Sequence, residues 1–197
     1  MALQLTINAE ILRSFAVVRE MLADRGLDTA SLEQVSDADV VTLSSTRNVF
    51  HVDLPSCMTR VVYDLNPKFK MADVKKLLQT AAPDLGDGAT VIVVVRERPA
   101  QGKGVDELAR DVQMFQVKEL MFNVSRHALV PLHEPIRDEA QIEEILKRYR
   151  LKSKHQLPLI LGSDAMARYL ALKPGQLVRI TRPSPSSGTY VSYRCCA

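Results

Sequence analysis

Apolar residues recur along this chain with two periods, and the changes of period mark its elements. Ile11, Phe15, Val18 and Leu22 are spaced by three or four within Leu3 to Arg25. That spacing is the stripe of an amphipathic helix, and Gly26 follows as a helix-ending residue. Val74, Leu77 and Leu78 predict a second helix over Met71 to Ala82, stopped by Pro83. Between the two, Val49 to Leu54 and Arg60 to Leu65 alternate as strands do. Val91 to Val95 is an unbroken β-branched run, expected of a strand buried on both faces. Val105 to Phe115 reads as helical and Lys118 to Val124 as a further strand. Helices interleaved with strands predict an α/β sandwich for residues 1–125.

A second part, residues 126–197, opens at Leu129-Val130-Pro131. Asp138 and Gln141 have the spacing of a capping box before a helix carrying Ile142, Ile145, Leu146 and Tyr149 on one face. Pro158 then forces an extended stretch. Ser163 reads as the N-cap of a short helix in which Asp164 and Arg168 can pair. Pro174-Gly175 suits a type II turn, with proline fixing one φ and glycine supplying a positive one. Gln176 to Thr181 and Thr189 to Arg194 alternate as two strands joined by Pro183 to Gly188. This part is expected to be a small mixed α+β domain.

Charge sharpens the division. Residues 1–125 hold 14 Lys or Arg against 17 Asp or Glu, whereas residues 126–197 hold 12 against 6. From Lys147 onward, ten cations face only Asp164. Such a segment suits an anionic partner, either nucleic-acid phosphates or an acidic protein surface.

Composition narrows the classes. With 197 residues and 46% hydrophobic content, the chain has the makings of one globular domain or two small ones. Glu10 and Arg13 interrupt the first apolar pattern, so it reads as an amphipathic helix and not a signal peptide, and no membrane partner is expected. Of three cysteines, Cys57 stands alone, and bridging the adjacent Cys195 and Cys196 would strain a disulfide; all read as reduced thiols. His127 and His133 lack cysteines at metal-finger spacing and read as packing or capping residues. Gly102-Lys103-Gly104 lacks the spacing of a phosphate loop and reads as a turn. No cofactor is expected.

The last fifth carries the most specific signal. Leu157-Pro158, Asp164, Ala167-Arg168-Tyr169, Lys173, Gly175-Gln176, Val178, Ile180, Arg182-Pro183-Ser184, Gly188, Tyr190 and Tyr193-Arg194 run in an order resembling the C-terminal domain of the fifth-largest subunit shared by the eukaryotic nuclear RNA polymerases. In archaea a similar domain stands alone as a small RNA polymerase component. Glu119-Leu120, Asn123-Val124, His127, Leu129-Val130-Pro131, His133, Leu146, Arg148-Tyr149 and Leu151 extend the likeness upstream. Before Glu119 it thins to the order of elements, Asp24-Arg25-Gly26 and the Val91 to Val95 strand.

The resemblance implies a non-catalytic nuclear subunit. Its first domain would have a restriction-endonuclease-like α/β fold and form part of the lower jaw beside downstream DNA. Its second would anchor on the largest subunit near the small omega-like subunit. Other polymerase subunits and transcription factors are further implied partners, and no homo-oligomer is expected. Arg168, Tyr169, Arg182, Pro183, Ser184, Tyr190, Tyr193 and Arg194 match the motif and become interface candidates, Tyr and Arg being favoured interface anchors. A nuclease site on such a fold needs an acid and an acid-x-Lys pair. Asp64 and Glu97 supply acids, but Pro99 stands where the lysine belongs. The family often carries Thr-Pro-Ser-Ala after the apolar strand; here Arg98-Pro99-Ala100-Gln101 stands there. Arg96, Arg98, Pro99 and Lys103 are therefore the DNA-proximal candidates, the two arginines and the lysine acting by charge. The longer charged insertion often found after the family's first helix is absent.

Overall fold

Two compact units, Met1–Phe122 and Asn123–Ala197, divide the chain. The computed structural model describes residues 2–30, 35–54, 58–66, 90–97 and 112–197. Each unit is a mixture of helices and a four-stranded sheet.

In the first unit, helix α1 (Ala2–Asp24) buries the expected stripe: Ile11, Phe15, Val18 and Leu22 are each at most 2% exposed. Full burial of such a side chain contributes about 1.5–3 kcal/mol relative to exposure. Gly26, at φ 77°, ends the helix by a Schellman motif, with Gly26 N donating to Ala23 O and Leu27 N to Leu22 O. A second helix, α2 (Asp37–Thr46), is absent from the sequence reading. Its signal is a capping box, in which Ser36 Oγ accepts from Asp39 N while Asp39 Oδ2 accepts from Ser36 N.

Strands β1 (Val49–Leu54), β2 (Thr59–Asp64), β3 (Thr90–Val95) and β4 (Val112–Gln116) form the sheet in that order. The first pairing is antiparallel and the next two are parallel. Val91 to Val95 are 0–4% exposed, as a doubly covered strand requires. Tyr63 ties α1 to one sheet face: its ring stacks on Phe50 at 4.9 Å, and its hydroxyl lies 3.3 Å from Ser14 Oγ. Burial pushes that phenol's pKa upward. On the opposite face, Val62, Val91, Val93 and Val95 cluster with Val49, Val112 and Met114. On that same face Asp53 and Arg60 stand directly opposite one another and form a forked ion pair, Arg60 Nη2 lying 2.7 Å from Asp53 Oδ2. The guanidinium's hydrogen bonds hold the Asp53 carboxyl below its usual range.

Two expectations fail here. Residues 112–115 are strand and not helix, because Val112 and Met114 use period two to reach the valine cluster while Phe115 turns to the buried opposite side. Val117–Leu120 and Val124–Arg126 are 3₁₀ turns where a strand was expected; Glu119 Oε2 accepts from Gln116 N and curls the chain. The expected Met71 to Ala82 helix, Cys57 and residues 105–111 lie outside the described residues.

The second unit contains β5 (Leu132–Ile136), α3 (Glu139–Arg148), β6 (Leu159–Ile160), α4 (Ala165–Tyr169), β7 (Leu177–Ser184) and β8 (Gly188–Cys196). Its sheet order is β5-β7-β8-β6. Ile142 and Ile145 of α3 pack with Ile136, Leu157, Leu177 and Cys195. Asp138 caps α3 through Ala140 N, so the cap forms without the reciprocal bond from Gln141. The cap of α4 is Asp164, one residue later than expected, because its Oδ1 accepts from both Met166 N and Ala167 N. Both helices end in Schellman motifs on non-glycine residues, Arg150 at φ 54° and Ala171 at φ 54°. Pro135 is tolerated because β5 is an edge strand.

Candidate assembly surface

The hairpin of β7 and β8 organises the candidate residues. Its entry is the expected turn: Gln176 N donates to Lys173 O, with Gly175 at φ 82°. A three-residue loop, Pro185 to Ser187, joins the strands, and Gly188 at φ 70° takes the left-handed position such loops require. Pro183 fits because β7 has lost its β5 neighbour beyond Thr181 and needs no N–H on that side.

This register sorts the predicted residues. Arg182 faces Tyr190, Ser184 faces Gly188, and Arg194 faces Val178, so period two places Arg182, Ser184, Tyr190 and Arg194 on one sheet face. Pro183 and Tyr193 point to the other. Arg182 lies over the Tyr190 ring, 4.8 Å from its centroid, and both side chains are exposed. Arg194 Nη1 donates to Leu159 O at 2.8 Å, tying β8 to the two-residue edge strand β6. Tyr193 is half-buried against the α3 core and meets Tyr149 edge-on at 5.8 Å. Tyr169, at 3% exposure, belongs to the interior of its unit, and Arg168 is half-buried on α4.

Several carboxylates answer the local positive charge. Glu134 pairs with Arg179 at 2.8 Å, Glu139 with Lys154 at 3.2 Å, and Glu143 with Lys147 at 3.7 Å. Leu132 and Val191 flank Thr181 on the face opposite Arg182, and are 60% and 38% exposed. The sequence reading does not single them out. Their signal is an apolar residue where an alternating strand meets no covering helix.

The remaining chemistry is structural. Cys195 and Cys196 are buried and free. As strand neighbours they point to opposite faces, which precludes their bridging, and burial raises both thiol pKa values. His127 Nδ1 accepts from Leu129 N, and His133 Nδ1 is 2.7 Å from Pro131 O. Asp64, buried at the end of β2, accepts from Asn66 N and Nδ2, while Glu97 is exposed. Among the described residues no group of three His, Cys, Asp or Glu side chains could hold a metal ion. Arg96 is half-buried just after β3; Arg98, Pro99 and Lys103 lie outside the described residues.

Comparison with known proteins gives this surface its context. The family described as RNA polymerase Rpb5, C-terminal domain, matches residues 122–196. Over 187 residues the chain is 30% identical to the DNA-directed RNA polymerases I, II, and III subunit RPABC1 of Caenorhabditis elegans, covering 92% of this chain and 87% of the relative. The chain belongs to the Rpb5 family of common RNA polymerase subunits. The similarity therefore reaches well beyond the C-terminal domain. The Dictyostelium discoideum RPABC1 subunit is 29% identical over 91% of this chain and 93% of its own length. A subunit named for polymerases IV and V, 5B of Arabidopsis thaliana, is likewise 29% identical, over 89% of this chain and 84% of its own. Members of the Rpb5 family are accessory and non-catalytic, and their partners are the other polymerase subunits.

Proposed function

We propose that the second unit anchors this chain on the largest polymerase subunit, beside the omega-like subunit, through the sheet face bearing Arg182, Ser184, Tyr190 and Arg194. The observation that carries the proposal is the exposed Arg182–Tyr190 pair on a register-locked hairpin. Arg and Tyr are the residue types most often found as interface anchors, and a hairpin presents them with little ordering left to do. Pro183 and Tyr193 lie on the opposite face of the same hairpin, and Arg168 and Tyr169 on α4 are the remaining candidates of this surface. The first unit contributes to the lower jaw near downstream DNA, where Arg96, Arg98 and Lys103 meet phosphates by charge alone and Pro99 lies between them in the chain. The chain works in the nucleus, during transcription.

Amine cross-linking of native polymerase containing this chain tests both placements. Lys152 and Lys173 should link to the largest subunit, and ultraviolet cross-linking should join the Arg96 to Lys103 segment to downstream DNA. Links from Lys152 and Lys173 exclusively to other subunits would overturn the anchor.

A further inference from the structure

The tip of the β7–β8 hairpin reads Arg182-Pro183-Ser184-Pro185, a Ser-Pro step on an exposed turn. We propose that Ser184 is a phosphorylation site for a proline-directed serine kinase, and that its phosphate draws Arg182 off Tyr190 and weakens docking. The consequence for docking rests on the anchoring role proposed above.

Access comes from the topology. Beyond Thr181, β7 is bonded on one side only, so the segment from Arg182 to Ser184 is held by β8 alone. Hairpin ends of this kind open at low cost, which lets a kinase take the segment in extended form. Pro185, Ser186 and Ser187 are exposed and Ser184 is half-buried. The Ser184 hydroxyl is 3.3 Å from Ser186 Oγ, an exposed contact that modification can break without loss of a helix cap or a core bond.

Selectivity comes from Pro185. Proline has no N–H and a fixed φ, so a kinase site that offers no acceptor opposite the residue after its target favours proline there. Ser186 precedes Ser187, and Ser187 precedes Gly188, so neither offers this step.

The effect comes from the shared face. Arg182 and Ser184 are two residues apart on one strand and point the same way. The γ-phosphoryl group of a nucleoside triphosphate would pass to Ser184 Oγ. The new P–O bond forms as the bond to the bridging oxygen breaks, the nucleoside diphosphate leaves with that electron pair, and the hydroxyl proton goes to the kinase's base. A phosphoserine carries about −1.5 to −2 charge and bonds guanidinium through two oxygens, which outcompetes an exposed ring face. Asp164 is the one acidic side chain after Lys147, and Glu134 on the neighbouring β5 is already paired with Arg179.

The test uses the full-length chain, a purified proline-directed serine kinase, ATP, and recombinant largest polymerase subunit as the docking probe. Mass spectrometry should place the phosphate on Ser184, Pro185→Ala should abolish it, and the phosphorylated chain should bind about tenfold more weakly. Ser184→Ala should bind equally well before and after the same kinase treatment. Absence of phosphate from Ser184 overturns the inference. So does undiminished binding of the phosphorylated chain when Arg182→Glu binds poorly, and in that case the anchor stands. If Arg182→Glu also binds normally, the anchor falls and the docking effect falls with it.

Discussion

Arg182 lies over the ring of Tyr190, the residue directly opposite it across the β7–β8 hairpin, with its guanidinium carbon 4.8 Å from the ring centroid. The pair is exposed, so its contribution to folding is small, within about 1 kcal/mol. Arg182→Ala and Tyr190→Ala should therefore leave the urea midpoint nearly unchanged while lowering affinity for the largest subunit by about tenfold or more. Wild-type affinity in both variants would show that the pair is not an anchor.

Arg194 behaves differently. It donates to Leu159 O on an edge strand of two residues, so it holds the unit together as well as presenting charge. Arg194→Ala should cost about 1 kcal/mol in chemical denaturation, more than Arg182→Ala does. Loss of assembly on Arg194→Glu must therefore be read alongside its fold, by circular dichroism of the same sample. Equal stability of the Arg194→Ala and Arg182→Ala chains would show that the bond to Leu159 contributes nothing.

Helix ends offer a test of backbone strain. Gly26, Arg150 and Ala171 occupy the same left-handed position after their helices, yet only the first is glycine. A Cβ at Gly26 would meet nothing within 4 Å, so the cost of Gly26→Ala is conformational alone. That variant should lose about 1 kcal/mol, whereas Ala171→Gly should gain a comparable amount. Denaturant titration of both decides it; destabilisation by Ala171→Gly would contradict the reading.

The Asp53–Arg60 pair sets a pH dependence. Its hydrogen bonds depress the Asp53 pKa in the folded state, so the unfolded chain takes up that proton first as pH falls. The stabilisation is complete above the unfolded value of about 3.9 and disappears as pH drops through the lower folded value. Wild type should be more stable than Asp53→Asn at pH 7, with the gap closing below about pH 4. A gap that persists at the lowest pH would show that the asparagine disturbs packing instead.

Elements that bury one face at a regular period, or both faces in an unbroken run, are legible in the sequence: the Ile11 to Leu22 stripe and the two hairpin strands in the first way, the Val91 to Val95 run in the second. Helix α2 was not, because it buries only Val40 and Ser44 and presents no stripe; its capping box is the whole signal. Strand β4 is not legible because its partner β3 pairs in parallel from a separate stretch of sequence, and its five-residue pattern fits either period. Pro135 hid β5, a strand allowed only because it lies at an edge. The family motif marks Arg182 and Tyr190, but their contact depends on the register set by a three-residue loop. That same register moves Pro183 and Tyr193 to the opposite face, which residue type alone does not reveal.

The most direct measurement is native affinity purification of the tagged full-length chain, with mass spectrometry of its stoichiometric partners. The largest polymerase subunit and its companions should be recovered in equal amounts, with the identity of the largest chain showing which polymerase the protein serves. Recovery of the chain alone, or with nucleic acid only, would contradict it and favour a free binder using the basic surface after Lys147.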